Sequence, residues 1–508
     1  MTRLGVGLTY VPGLDRITDA CADLLDVVEV EPQTLWRSRT DGGITLDEEA
    51  LRRIADLPGA RLLHGVGNPV GGCRPPDRGH TALVGQLAER LGAPWVSEHL
   101  AFNRVGGRGE GFRTGFMLPP CPTPGGSRRG IRSVRAMAAA LPVPLAVEIG
   151  ANYLRPRPGE LSDGEFARRV AEGSGCGLLL DLHNVLANER NGRGGVDELL
   201  AALPLERVWE VHLAGGTAYR GYWLDAHSGL PDEELTALAE RVLPRLPALR
   251  AVLFEVTPSA VPQLDPAAVR ELLARMRAMW PDGADAPLPP LRPLPPVLPG
   301  QSPRPPDGPS PDGAGRPVGV VGPDGVDPEE WEEALGGLAI GREPGTPLAR
   351  ELSEDPAIPL IRDLVTEFRG SALAGALRWT VRLLLLTVGG RGLHELLDGY
   401  VLACPPQLFA TEEAFAFAAH LRRVRPQVPW LDDVLELDLG LIRAQVDGQP
   451  CTVRLGTDPT ALMTDLGAGR LPVDPPRGTF QVRLVDDSRP AAGAAHGPGG
   501  PAVSALPG

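Results

Sequence analysis

Five of the nine histidines in this chain, His64, His99, His183, His212 and His227, stand in short motifs, the last four of them beside carboxylates. The motifs are LLHGVG, SEHLAFN, VEIGANY, LLLDLHN, VWEVHLAGG, YWLDAHSG and LFEVTP. They set Glu98, Glu148, Asn152, Asp181, Asn184, Glu210, Asp225 and Glu255 alongside the imidazoles. Converging neutral imidazoles and carboxylates are the donor set of a divalent or trivalent first-row metal ion. No thiol is among them, which argues against structural zinc and for a catalytic site holding Fe, Mn, Co or Zn. His64, His99, Glu148, Asp181, His183, His212, Asp225, His227 and Glu255 exceed the roughly six positions around one ion, so two or three carboxylate-bridged ions are expected. Asn152, Asn184 and Glu210 either orient imidazoles or close turns. One strand-end His or acid alone is ordinarily a satisfied polar residue or a helix cap. Together they need a cation, because buried carboxylates left unpaired repel one another and are costly to desolvate.

The motifs close short apolar runs: Leu4–Leu8, Val27–Val30, Leu62–His64, Trp95–His99, Leu145–Ile149, Leu178–Asp181, Val208–Leu213 and Val252–Glu255. Amphipathic stretches alternate with them: Ile17–Leu25, Leu46–Leu57, Ala82–Leu91, Val134–Leu141, Glu165–Ala171, Glu198–Leu203, Glu233–Leu246 and Ala267–Met279. Ser162 is placed to cap the Glu165 helix, and Asp265-Pro266 to open the last one. Eight strand-helix units within residues 1–281 predict a (β/α)8 TIM barrel, whose strand C-termini share one face and would gather the motif residues there. A doubly wound open sheet is the second choice, but no Gly-x-Gly-x-x-Gly follows the first strand, so a dinucleotide turn is missing.

The 508 residues include 63 Gly and 55 Pro, concentrated in a Pro-rich linker spanning 282–344 and in a small-residue tail, 488–508, expected to be disordered. The segment 345–487 is expected to be a smaller, mainly helical α+β domain. Its helical stretches are Ile361–Phe368, Leu373–Leu386, Leu393–Leu402, Ala410–Val424 and Leu431–Ala444, followed by strands Cys451–Leu455 and Thr479–Leu484. His394 and His420 lie there without a second ligand at helical spacing, and are read as core or surface residues. Cys404 is read as a helix-end residue and Cys451 as a strand residue. The net charge of −14 disfavours nucleic acid as a partner. No run approaches the length of a membrane span, and the first residues lack a charged start followed by an apolar stretch. Six scattered cysteines without a Cys-x-x-Cys pair suggest no disulfide framework, and a reducing, cytoplasmic setting is expected.

In order, GVGLTYVPG, VVEVEP, LLHGVGNPVG, WVSEHLAFN, VEIGANYL, GLLLDLHNV, EVHLAGG and LDAHSG resemble the multinuclear non-heme iron-dependent oxidase family, over about residues 4–280. That resemblance implies a TIM barrel with two or three irons, in a mixed ferrous and ferric state. It implies O2 as co-substrate, and oxidative modification of a residue, typically cysteine, in a ribosomally made precursor peptide. The nine residues named above would be the iron ligands. Some positions depart from the family: Ile149 stands where Asn often follows the central Glu, His183 where many members have Asn, and Gly216 where some have a second His. In the second domain, LLDGYVLACPPQLF, VPWLDDVLELDLGLIRAQ and DPTALMTDLGAGRLP resemble the small partner proteins encoded beside these oxidases, which help present the precursor. Residues 345–487 would then replace a separate partner. The alternatives are another barrel metalloenzyme, such as a Mn or Zn sugar isomerase or phosphoesterase, and a non-catalytic binding protein. The first domain has no Lys for an isomerase's proton-transfer set and advertises no cationic rim for phosphate. The nearly full ligand set argues against the binding protein.

Overall fold

Eight strands pair in parallel and close on themselves: β1 (Gly5–Tyr10), β2 (Val27–Val30), β3 (Ala60–Gly65), β4 (Val96–His99), β5 (Leu145–Glu148), β6 (Gly177–Asp181), β7 (Val208–Ala214) and β8 (Ala251–Glu255). β8 returns to β1 with Val6 opposite Val252 and Leu8 opposite Phe254. This is the expected TIM barrel. The computed structural model describes residues 3–38, 43–106, 111–280 and 325–485, and the backbone of the short strand Ser504–Ala505.

The two-residue period of each strand sorts its side chains between two faces. Val28, Leu63, Val147, Val252 and Phe254 join the large core under the surrounding helices. Their neighbours Val27, Leu62, Ala146, Ala251 and Leu253, with Trp95 and Trp209, form a separate buried cluster that plugs the barrel's interior. Two residues further along the same inward face come Glu29, His64, Glu148 and Glu255, at the strands' C-terminal ends. The apolar plug thus forms the floor and the polar residues the mouth.

The helices start where short polar side chains can cap them. Ser162 Oγ accepts from Glu165 N, and Asp265 accepts from Ala267 N ahead of Pro266. Two-stranded excursions decorate the mouth: Trp36–Ser38 with Ile44–Leu46, Phe102–Val105 with Phe112–Leu118, and Thr217–Tyr219 with Tyr222–Leu224.

The second unit starts earlier than the composition predicts. Pro328–Ala339 is a helix, capped by Asp327, within the segment 282–344 expected to be linker. Trp331, Ala334, Leu335 and Leu338 recur at helical spacing and are buried, so a core-forming stripe overrides the Pro/Gly-rich surroundings. Residues 282–324 of the expected linker lie outside the described residues, as does the expected disordered tail apart from Ser504–Ala505.

Helices Pro347–Ser353, Ala357–Ala376, Arg378–Ala403, interrupted by a kink at Gly389 (φ 71°), Ala410–Val424 and Leu431–Asp447 follow. Leu377, with ψ of 51°, breaks the chain between the second and third of these, and their axes bend by 116°. No single helix among the described residues is long and apolar enough to cross a membrane. Cys451–Thr457 pairs antiparallel with Arg477–Leu484, and Ser504–Ala505 adds to the latter. Cys404 terminates its helix, His420 is buried beside Tyr400 and Phe417, and half-exposed His394 faces Glu367 and Asp398.

The helical unit is seated on the loops at the barrel mouth. Phe102, Leu118, Tyr153 and Leu154 of the barrel share one buried cluster with Trp331, Leu335, Ile358, Ile361 and Val365. Cys73 N donates to buried Glu332 at 2.6 Å, Arg155 N donates to Asp355 at 2.9 Å, and Arg220 pairs with Asp363 at 2.8 Å.

Candidate metal centre

β3, β4 and β5 supply the first group. His64 Nε2 and His99 Nε2 lie 3.1 and 3.0 Å from the same oxygen of Glu148, Oε2. The far side of each ring is already engaged: His99 Nδ1 stands 3.0 Å from the Gly65 carbonyl, and His64 Nδ1 2.9 Å from Ser97 Oγ. A carbonyl can only accept, so His99 carries its proton on Nδ1 and offers the Nε2 lone pair inward. Ser97 Oγ donates to Leu63 O at 3.4 Å, which leaves it to accept from His64 Nδ1 and fixes the same tautomer there. Asn184 Nδ2 donates to the other Glu148 oxygen at 3.1 Å.

β6 and the loop after β7 supply the second group. Asp181 caps the helix Leu182–Arg190: its Oδ1 accepts from His183 N and Asn184 N, while Oδ2 remains free and faces His227 Nε2 at 3.6 Å. Asp225 Oδ1 lies 2.8 Å from His227 Nε2 and 3.6 Å from His183 Nδ1. His227 holds a left-handed φ of 41°, a backbone strain that turns its ring into the mouth. His183 Nε2 accepts from Trp223 Nε1 at 3.2 Å, and the Trp223 ring is clamped by Arg190 stacked at 4.1 Å. Gly216 is required beside them, since a Cβ there would sit 2.2 Å from His183 Nε2.

His212 joins the groups. Its Nδ1 is 2.7 Å from Glu255 Oε2, and its Nε2 is 3.1 Å from Glu29 Oε1 and 3.8 Å from Glu210 Oε1. Thr9 Oγ1 donates to Glu29 and Trp95 Nε1 to Glu210. Among the described residues four sets of donor atoms result, three of them linked through Asp181 and His212: Asp181, His183, Asp225 and His227; Asp181, His212 and Glu255; Glu29, Glu210 and His212; and, separately, His64, His99 and Glu148.

All nine expected ligands are therefore brought together, and Asn184 and Glu210 stand behind them. Asn152 does something else: its Oδ1 accepts from Leu154 N, closing a turn. Glu98, from the same motif as His99, accepts from His99 N and Asn68 N and so braces the loop. Glu29 was missed, because it lies inside the run VVEV; a charged residue within a buried apolar strand was the available signal.

The electrostatics ask for positive charge. Burial alone would lower the His64 imidazole, but the hydrogen bond and charge of Glu148 outweigh it and push the group up to about 10. His212 and His227 are likewise raised well above the ordinary range, against burial, by Glu29 and Glu255 in one case and Glu255 and Asp225 in the other. Burial and the charge of Glu29 push Glu210 up to about 7. Protons are thus needed wherever a cation is lacking. Glu148 Oε2 is shared between the inward nitrogens of His64 and His99, while the buried Asp181 Oδ2, Asp225 Oδ1, His183 Nδ1 and His227 Nε2 face one another with no hydrogen-bond partner outside the site. The donor chemistry and these orphaned atoms fit a multinuclear centre of metal ions.

A family model described as the RiPP precursor modification enzyme MbnB/TglH/ChrH matches residues 4–277, where RiPP denotes a ribosomally synthesised and post-translationally modified peptide. The chain belongs to this family. The match bears out the family resemblance seen in the motifs. A UPF0276 protein of Streptomyces avermitilis is 32% identical over 243 residues, 47% of this chain and 48% of the relative. One of Chromobacterium violaceum is 30% identical over 276 residues, 53% of this chain and 98% of the relative. The chain thus spans about half the length of the first relative and nearly all of the second. Among solved structures it is similar to a xylose isomerase domain protein from Planctomyces limnophilus, with TM-score 0.37 and 18% identity over 54% of this chain and 97% of that one. A D-psicose 3-epimerase from Clostridium cellulolyticum gives TM-score 0.35 and 9% identity over 55% and 96%.

Proposed function

We propose that this family member is an O2-using oxidase with two or three irons that modifies a cysteine of a ribosomally made precursor peptide. The observation that supports this reading best is the chain of orphaned imidazole and carboxylate atoms at the mouth of the barrel. His64, His99, Glu148, Asp181, His183, His212, Asp225, His227 and Glu255 would hold the ions, with Glu29 and Glu210 behind His212. Bound iron supplies a site for a soft thiolate and the electrons for reducing O2.

The protein's own contribution is positional. Ser97 and the Gly65 carbonyl keep the lone pairs of His64 and His99 turned inward. Asp181 spends one oxygen on a helix cap and presents the other. The apolar plug closes the site from beneath and the seated helical unit covers it from above, so a bound thiol is held against the donors with less competing solvent. Residues 328–485 serve in place of a separate partner that presents the precursor, in the reducing cytoplasm that six unpaired cysteines suit. Fusion keeps that unit at a high effective concentration.

The test is oxygen uptake by iron-loaded protein when a cysteine-containing precursor is added, with the peptide followed by mass. The expected result is O2 consumption and a mass change that vanish with a Ser-for-Cys precursor. Uptake indifferent to the precursor would contradict the proposal.

A further inference from the structure

Between the barrel mouth and the helical unit lies a cavity of about 560 Å³, a size suited to a few residues of peptide. His99, Asp225, His227 and Glu255 are at its floor. Its walls come from both units: Phe116 and Ile149 from barrel loops, and Phe368 and Phe409 from the helical unit. The Phe116 and Phe368 rings meet edge to face at 6.4 Å, although Phe368 remains 61% exposed. The roof loop is held rigidly. Glu413, buried and paired with Arg369 at 2.5 Å, accepts from Gln407 N, and Gly115 (φ 73°) lets the hairpin approach Pro406 so closely that a Cβ would lie 2.9 Å away.

Two amides on the wall carry unspent hydrogen-bonding capacity. Gln33 has neither its Nε2 nor its Oε1 partnered, and Asn103 Oδ1 is also unpartnered, although all three atoms are buried. Gly67 separates them, its Cα stripped so that Gln33 Nε2 can come within 2.7 Å of a Cβ position, while its carbonyl accepts from Asn103 Nδ2 at 3.5 Å. Buried amide groups left unpaired cost free energy, and a peptide backbone, with a donor and an acceptor per residue, satisfies both kinds.

We infer that this chamber is a peptide subsite built jointly by the two units, which selects an apolar residue beside the reacting one. It rests on the peptide reading above and deepens it. Gln33 and Asn103 pair with the backbone of an extended segment, and Phe116, Phe368 and Phe409 enclose the flanking apolar side chain. The helical unit therefore helps to choose the sequence at the reaction point, in addition to recruiting the precursor.

The test is calorimetric titration of the full chain, as purified with its metal, with N-acetyl tripeptide amides: Leu-Cys-Leu, Gln-Cys-Gln, and the same two with Ser at the centre. The Leu-flanked peptides should bind about tenfold more tightly than the Gln-flanked ones, whichever central residue they carry. Phe368→Ser, at an exposed position that folding tolerates, should erase most of that preference. Gln33→Leu should weaken all four alike. Equal affinity for Leu and Gln flanks, or a preference that survives Phe368→Ser, would overturn the inference. Binding that appears only after deletion of residues 486–508 would make the chain's own tail the occupant and overturn it too. The thiol reading is judged separately, on Cys against Ser, so each idea fails on its own axis.

Discussion

Glu29 Oε1 lies 3.1 Å from His212 Nε2, on the opposite edge of the ring from Glu255, which stands 2.7 Å from Nδ1. A carboxylate behind a metal-binding imidazole holds its proton on the far nitrogen and raises its basicity as a ligand. Glu29→Ala should therefore reduce metal affinity by roughly 10- to 100-fold while the barrel stays folded, with Glu29→Gln intermediate. Competition with a chelator, read with circular dichroism for the fold, checks this. Unchanged affinity in Glu29→Ala would show that His212 needs no such support.

Gly216 faces His183 and Trp223 with no room to spare. Gly216→Ala places a methyl group 2.2 Å from His183 Nε2 and 2.4 Å from Trp223 Nε1, so one ring must move. A destabilisation of about 1–3 kcal/mol is expected, together with loss of metal from the group containing Asp181 and Asp225. Thermal unfolding and metal analysis of the variant give the answer.

The contact between Glu332 and the barrel should make seating of the helical unit depend on pH. Burial, with the charge of Glu329, pushes its carboxyl up to about 7, against the Cys73 hydrogen bond and the nearby Arg129. An exposed Glu titrates near 4.3. The seated form thus binds a proton that the lifted form releases. This contribution is complete below the exposed value and fades, by roughly 1 kcal/mol per pH unit, as pH rises towards 7. Glu332→Gln should flatten the dependence and stabilise the seated form above pH 7. Limited proteolysis between pH 5 and 8 reads this out.

Trp331 tests the seating itself. Its ring is buried with Phe102 and Leu118, and its Nε1 donates to Pro119 O at 3.2 Å. Trp331→Ala should cost about 3–5 kcal/mol of seating and open the chamber roofed by Phe368. Increased protease sensitivity in the helical unit, with the barrel intact, is the expected result.

Much of this site was legible because a parallel barrel converts strand ends into one surface. His64, His99, Glu148, Asp181, His183, His212, Asp225, His227 and Glu255 could be grouped from seven distant motifs before any geometry was known. Asn152 and Glu98 look the same in sequence, yet their oxygens accept from backbone N–H groups, Leu154 N in one case and His99 N with the distant Asn68 N in the other. Glu29 escaped because it lies within the apolar run VVEV and not at its end, where the other site residues stand. The helix Pro328–Ala339 was hidden for another reason. Its apolar stripe is short, sits next to Pro/Gly-rich chain, and acquires its meaning from the barrel surface it covers.

The central claim is tested most directly by metal analysis with Mössbauer spectroscopy on the full chain, purified without oxygen from iron-supplemented cells. The account predicts two or three irons per chain, with a coupled ferric and ferrous signal that His99→Ala and Asp181→Ala each diminish. Stoichiometric zinc or manganese without iron, or iron unaffected by both substitutions, would contradict it.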